Sequence, residues 1–323
     1  MHPVISKLLS TKFNPKPEPS FNVFAYRSLM NDFTRITTYS NDGTFKAKKI
    51  TLTPEGVPSF NLRIYYSDDA GLSPVLVYFH GGNWISGDVR HCESICATLA
   101  ENSHYTVISV DYALAPEWNF PVPLYQGLAV LEWIWERGAH FGIDSDKIVV
   151  GGDNSGGNIA AGLIHLAEKE RDIRLFGQLL ICPALHYRFD TSSYNQYGEG
   201  YFISKELMQL SWKMYLGDLG EAYNELASPL LTGYVKHVPP TLLYTAEYDP
   251  LRDEAELYAE RLQRQSIPVC FKRFKGVAHH FWQMDAILDT AREAHSEAVQ
   301  WLTSLNKVQA TEQELINGRG VSL

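Results

Sequence analysis

No stretch of the 323-residue chain reaches the roughly 20 consecutive apolar residues that a membrane helix needs. Its first residues, MHPVISKLLSTKFNPKPEPSF, lack the apolar run and small-residue cleavage site of a secretory signal. Basic residues are in deficit: 28 Lys and Arg stand against 37 Asp and Glu, a formal charge of −9. That argues against nucleic acid as a partner, because proteins that grip a phosphate backbone concentrate positive charge. Cysteine is scarce, and the four present, Cys92, Cys96, Cys182 and Cys270, form no CxxC pair. Cys92 and Cys96 stand four apart, as neighbours on one helix face do. With no secretory signal, all four read as reduced and mostly buried small apolar residues. A cytoplasmic chain without a membrane span is the expectation.

What the chain has in quantity is core material: 45% of its residues are hydrophobic and 12% aromatic, with no internal repeat. One large globular domain is expected. Residues 1 to 45 mix aromatic, charged and proline residues (Pro15, Pro17, Pro19), with a helical stretch around Phe21 to Arg35, and read as a cap segment. From Lys48, KKITLTP and FNLRIYYS predict an antiparallel strand pair.

Short apolar runs then alternate with longer helical segments. The runs cover 74–80, 105–112, 147–153, 176–185, 240–247 and 268–274, and helix candidates separate them or follow the last. This alternation predicts a mostly parallel sheet with helices on both faces. A long polar and aromatic segment at about 186 to 229 interrupts the rhythm and reads as an insertion covering a pocket. The domain itself is expected over 46–305, with 306–323 as a C-terminal tail.

Four short stretches carry chemistry. In VVGGDNSGGN, glycines two before and two after position 154 reproduce the G-x-S-x-G strand–turn–helix elbow, in which strain aims the central side chain at a pocket. The central residue is Asn154. In YFHGGNW, two glycines after a strand allow backbone N–H groups to turn inward as an oxyanion hole would require. Asp249 follows a strand in YTAEYDPLRDE, and His279 follows the next in FKGVAHHFW, so elbow, acid and histidine come in the chain order of this fold's triad.

Together with DYALAPE (111–117), the sequences HGGNW (80–84), GDNSGGN (152–158), DPLRDE (249–254) and HHF (279–281) resemble the hormone-sensitive-lipase-like branch of the α/β-hydrolases, the group of acetyl esterases and carboxylesterases. The resemblance runs from about Lys48 to Leu302. It implies an α/β-hydrolase fold with a helical cap. It also implies that Asp249 orients His279, that His279 shuttles the proton, and that backbone N–H groups of Gly82, Asn83 and Ser155 form the oxyanion hole. Position 154 becomes the nucleophile site. Short-acyl esters are the implied small-molecule substrates, hydrolysed through an acyl-enzyme without metal or cofactor.

Two positions depart from the pattern. Asn83 replaces the usual third glycine, a mild change where only a backbone N–H is needed. Asn154 is severe, since a carboxamide nitrogen has no free lone pair for acyl attack and cannot be deprotonated by His279. Ser155 is a poor substitute, because one step along a helix turns a side chain by about 100° and the glycines centre on 154. Three readings stay open: an esterase lineage with its nucleophile replaced, a catalytically silent binding protein, and a non-hydrolytic enzyme using His279 as general base.

Overall fold

The computed structural model describes residues 1–14, 21–39, 45–67, 71–233 and 237–318, side chains beyond 307 excepted. Pro15, Pro17 and Pro19 lie outside these. Eight strands form one sheet: β1 Lys48–Leu52, β2 Phe60–Tyr65, β3 Ser73–Phe79, β4 Thr106–Asp111, β5 Ile143–Asp153, β6 Gly177–Ile181, β7 Thr241–Tyr248 and β8 Val269–Ala278. Their order is β1-β2-β4-β3-β5-β6-β7-β8. The expected antiparallel pair is present, Lys48 opposite Ile64 and Leu52 opposite Phe60, and β2 also runs antiparallel to β4. All later pairings are parallel.

The central strands are unbroken apolar runs because both faces are covered. All of β3 is buried. Val75, Val77 and Phe79 point into one core, and Leu76 and Tyr78 into the other, the period of two that a strand imposes. The first core packs beneath α4 (Val122–Arg137), α5 (Ser155–Arg171) and α8 (Arg252–Arg264). The second packs beneath α1 (Pro3–Leu9), α3 (Glu93–Ser103) and α9 (Asp289–Gly318). The last helix thus runs past position 305. Among the described residues, no helix is long and apolar enough to cross a membrane.

Two further parts bear on the site. α2 (Val23–Thr37) is capped by Asn22, whose side chain accepts from the N–H groups of Phe24 and Ala25. Between β6 and β7 the insertion folds into α6 (Ser192–Tyr197), α7 (Lys205–Leu216) and two 3-10 turns. The cysteines are all free, and three are buried as expected. Cys270 is exposed instead, because β8 is the outer strand of the sheet and leaves one side uncovered.

Candidate active site

β5 passes into α5 with a single residue between them. That residue, Asn154, sits at φ 51°, ψ −115°, a left-handed φ that side-chain-bearing residues rarely adopt and that costs about 1–3 kcal/mol. The neighbouring glycines make it possible. A Cβ on Gly156, or on Gly152, would collide with the carbonyl oxygen of Phe79 at the end of β3. Strand and helix therefore approach as closely as backbone allows, and the Asn154 side chain stands at the apex. α5 begins immediately behind it, with the positive end of its peptide dipoles turned to the apex.

The loop after β3 lies opposite. Gly82 has φ 127°, and a Cβ there would strike the Ser86 carbonyl. Asn83 follows at φ 55°, which asparagine tolerates better than most residues. Its side chain has its own partner, donating from Nδ2 to the hydroxyl of Tyr26 on α2 at 3.2 Å. Arg27, next on α2, holds the same loop: Nε donates to the Ile85 carbonyl at 2.7 Å and Nη2 to the Ala115 carbonyl at 3.0 Å, while the guanidinium grips both oxygens of Glu117. Sequence reading expected a cap segment over residues 1 to 45 and did not predict either contact, since both join residues far apart in the chain.

At the apex the three expected side chains meet. The Asn83 N–H donates to Asn154 Oδ1 at 2.8 Å, Asn154 Nδ2 lies 3.0 Å from His279 Nε2, and His279 Nδ1 lies 2.8 Å from Asp249 Oδ2. Asn154, Asp249 and His279 are essentially inaccessible to solvent. Donor logic orients the chain of contacts. A backbone N–H only donates, so the atom facing Asn83 is the amide oxygen. Nδ2 then donates to His279 Nε2, and the ring proton resides on Nδ1, donated to Asp249. This is the tautomer that leaves Nε2 as the basic nitrogen. Asp249 is itself fixed by the Leu251 N–H, which donates to Oδ1 at 2.9 Å.

Ser155 faces elsewhere. Its hydroxyl lies 3.3 Å from that of Tyr112, which donates to the His80 carbonyl at 2.8 Å. The offset expected from helix rotation is thus present. In an Asn154→Ser background, Ser155→Ala is expected to change ester turnover no more than a few-fold; steady-state rates check this, and collapse of activity would make Ser155 the nucleophile.

Two buried residues beside the apex escaped sequence reading. Asp153 ends β5 and binds three elements at once: its Oδ1 accepts from Tyr78 Oη at 2.8 Å and Gly81 N–H at 3.1 Å, and its Oδ2 accepts from Gln283 Nε2. Burial raises its pKa to about 6, against the donors around it. Cys182 follows β6 at φ 44°, with its sulfur behind the acid. Cys182, Asp249 and His279 present ligand-type atoms within 4.8 Å of one another. Burial, then Asp249, hold the thiol pKa well above its ordinary value, so sulfur faces the acid as a neutral S–H rather than as the thiolate that binds metals.

A mostly parallel sheet carrying a strand–residue–helix elbow, with an Asp–His pair and a loop N–H converging on that residue, defines the hydrolase class of α/β proteins. Residues 76–283 match the family model described as alpha/beta hydrolase fold. The chain belongs to this family, in its hormone-sensitive-lipase-like carboxylesterase branch. It is 35% identical over 240 residues to an arylesterase of Saccharolobus solfataricus, covering 74% of this chain and 77% of the relative. It is 30% identical over 250 residues to an ethyl acetate hydrolase of Pseudomonas putida, covering 76% and 78%. Among solved structures, a Pyrobaculum calidifontis esterase superimposes with a TM-score of 0.87 at 30% identity, covering 95% of this chain and 99% of that one.

Proposed function

We propose that the chain is a carboxylic ester hydrolase of the short-acyl type in every part of its site except the attacking atom, and that Asn154 leaves it silent in acyl transfer. In this reading Asp249 orients His279 and stabilises its cationic form. His279 Nε2 takes the proton of a nucleophile at 154 and later delivers it to the leaving alcohol. The N–H groups of Gly82, Asn83 and Ser155 hold the oxyanion. The observation that carries the reading is the pair of contacts made by Asn154: its carboxamide spans from the Asn83 N–H to His279 Nε2, where a hydroxyl would attack.

Both relatives carry names of ester hydrolases, one of them for ethyl acetate. The aromatic side chains packed after the hole loop and beside His280 are read here as bounding a small acyl pocket. Trp84, directly after the hole loop, stacks on Tyr215 of α7 with centroids 4.5 Å apart and also touches Trp212. On the histidine side, Phe33 of α2 packs at 5.6 Å from His280 and 5.8 Å from Phe202. α2 and the insertion are therefore read as the two halves of a cap. A series of p-nitrophenyl esters of growing chain length, given to the Asn154→Ser variant, is expected to show its highest kcat/KM at acetate or butyrate. A maximum at long chains would contradict the short-acyl assignment.

A silent binding protein built on this scaffold is the second reading, favoured by the Asn154 amide occupying both the Asn83 N–H and His279 Nε2. A cytoplasmic location agrees with four free cysteines. The cap reading makes Arg27 a positioning residue for the hole loop. With Asn154→Ser as background, Arg27→Met is expected to lower kcat about tenfold to a hundredfold with less effect on KM, because loosening the hole donors by a fraction of an ångström penalises the transition state most. Arg27→Lys should recover part of the loss. Unchanged kcat in the Met variant would remove α2 from the account.

A further inference from the structure

We propose that Asn154 is a substrate of its own site: His279 and Asp249 hydrolyse its carboxamide, converting position 154 to aspartate with release of ammonia. This rests on the competence of the Asp249–His279 pair and hole assigned above, and goes beyond it by naming a modification site.

An amide cleaved at such a site has to present its carbonyl oxygen to the hole and its leaving nitrogen to the imidazole. Asn154 does both within one side chain. Oδ1 accepts the Asn83 N–H at 2.8 Å, and Nδ2 lies 3.0 Å from His279 Nε2. The elbow backbone that carries this side chain is itself pinned on both sides. The Asn154 N–H donates to the Ile181 carbonyl at 2.9 Å, and its carbonyl accepts from the N–H groups of Asn158 and Ala184 at 3.2 Å. A carboxamide held beside both its base and its hole donor has a high effective concentration, so even a weak hydrolytic site acts on it over long times.

The step balances with water as the co-reactant. Water oxygen bonds to Cγ of Asn154 while His279 Nε2, giving up its contact with Nδ2–H, takes one water proton, and the carbonyl pair moves onto Oδ1, stabilised by the Asn83 N–H. On collapse the Cγ–Nδ2 bond breaks and His279 returns the proton to nitrogen, which leaves as ammonia. The product is a carboxylic acid that ionises to a carboxylate. It keeps the Asn83 N–H as a donor and gains the positive end of α5.

Asn158, four residues on, supplies a control. It is equally buried, but its Nδ2 donates to the carbonyls of Ala184 and Ala227 at 2.8 Å, with no imidazole involved. The test is to incubate the purified chain for days at neutral pH in oxygen-18 water, digest it, and sequence the peptide spanning both residues by mass spectrometry. Position 154 is expected to gain about 3 Da, against about 1 Da in ordinary water, as NH2 gives way to OH. The linkage should be wholly α-aspartyl, with Asn158 unchanged.

His279→Ala should slow conversion at least about tenfold. His279→Gln, which keeps a polar side chain in the buried position, should do the same, and a thermal melt of each verifies folding. Isoaspartate, or conversion at the same rate in both variants, would assign the change to attack by the Ser155 backbone nitrogen and overturn the proposal. Absence of conversion in a chain whose Asn154→Ser variant hydrolyses esters would overturn it alone. Absence in a chain whose Asn154→Ser variant is also inert would overturn the site assignment with it.

Discussion

Asn154→Ser is expected to raise hydrolysis of p-nitrophenyl acetate by at least about a thousandfold over the parent chain. In a well-studied protease, removal of the nucleophile alone costs about a millionfold in kcat, and what survives comes from the oxyanion hole and binding. The parent should therefore show only background of that kind. Serine fits the elbow without rearrangement, because the glycines that force the apex are in place and a smaller side chain relieves rather than adds crowding. Its hydroxyl would face the His279 nitrogen that Asn154 now occupies, and the Asn83 N–H would be freed for the substrate oxyanion. Initial rates across a substrate range check the gain. An inert variant with an intact Asp249–His279 contact would move the binding reading ahead.

Asp249→Asn, added to Asn154→Ser, is expected to remove that gain, lowering kcat by about a thousandfold or more with a smaller change in KM. The reason is the tautomer. Leu251 N–H donates to one oxygen of Asp249 and His279 Nδ1–H to the other. Asparagine keeps its oxygen on the Leu251 N–H, so its NH2 faces Nδ1 and forces the ring proton to Nε2. The nitrogen that should accept the nucleophile's proton then carries one of its own. Loss of the negative charge also removes what stabilises the imidazolium. Steady-state kinetics over pH 6 to 9 read this out. A variant that keeps its kcat would mean that Asp249 orients His279 only by packing.

Much of this was legible before any coordinate. Six apolar runs became six strands because parallel strands covered on both faces cannot hide their composition, and the glycines at 152 and 156 announced a backbone approach that only glycine permits. Asn154, Asp249 and His279 could be placed together because chain order and strand ends define where they fall.

The supporting contacts were not legible, for a physical reason. Asp153 ties β3, the hole loop and Gln283 together through partners more than seventy positions away. Its one signal was an acid at the end of an otherwise apolar strand. Asn83 looked like a tolerated loss of glycine; its side chain turns out to clasp Tyr26, a contact that depends on how α2 docks. Cys182 read as a small apolar residue, and only the packing of β6 beside β7 brings its sulfur to the acid. The exposure of Cys270 depends on strand order, which sequence alternation leaves open.

That the attacking atom alone is missing is tested most directly by treating parent and Asn154→Ser chains with a fluorophosphonate and locating the adduct by mass spectrometry. Attack on phosphorus expels fluoride and leaves a stable covalent label, so the readout needs no turnover and no knowledge of the natural ester. The expected result is one label per chain at position 154 in the variant, lost again on adding His279→Ala, and none in the parent. Labelling of the parent at Ser155, or no labelling of a folded variant, would contradict it.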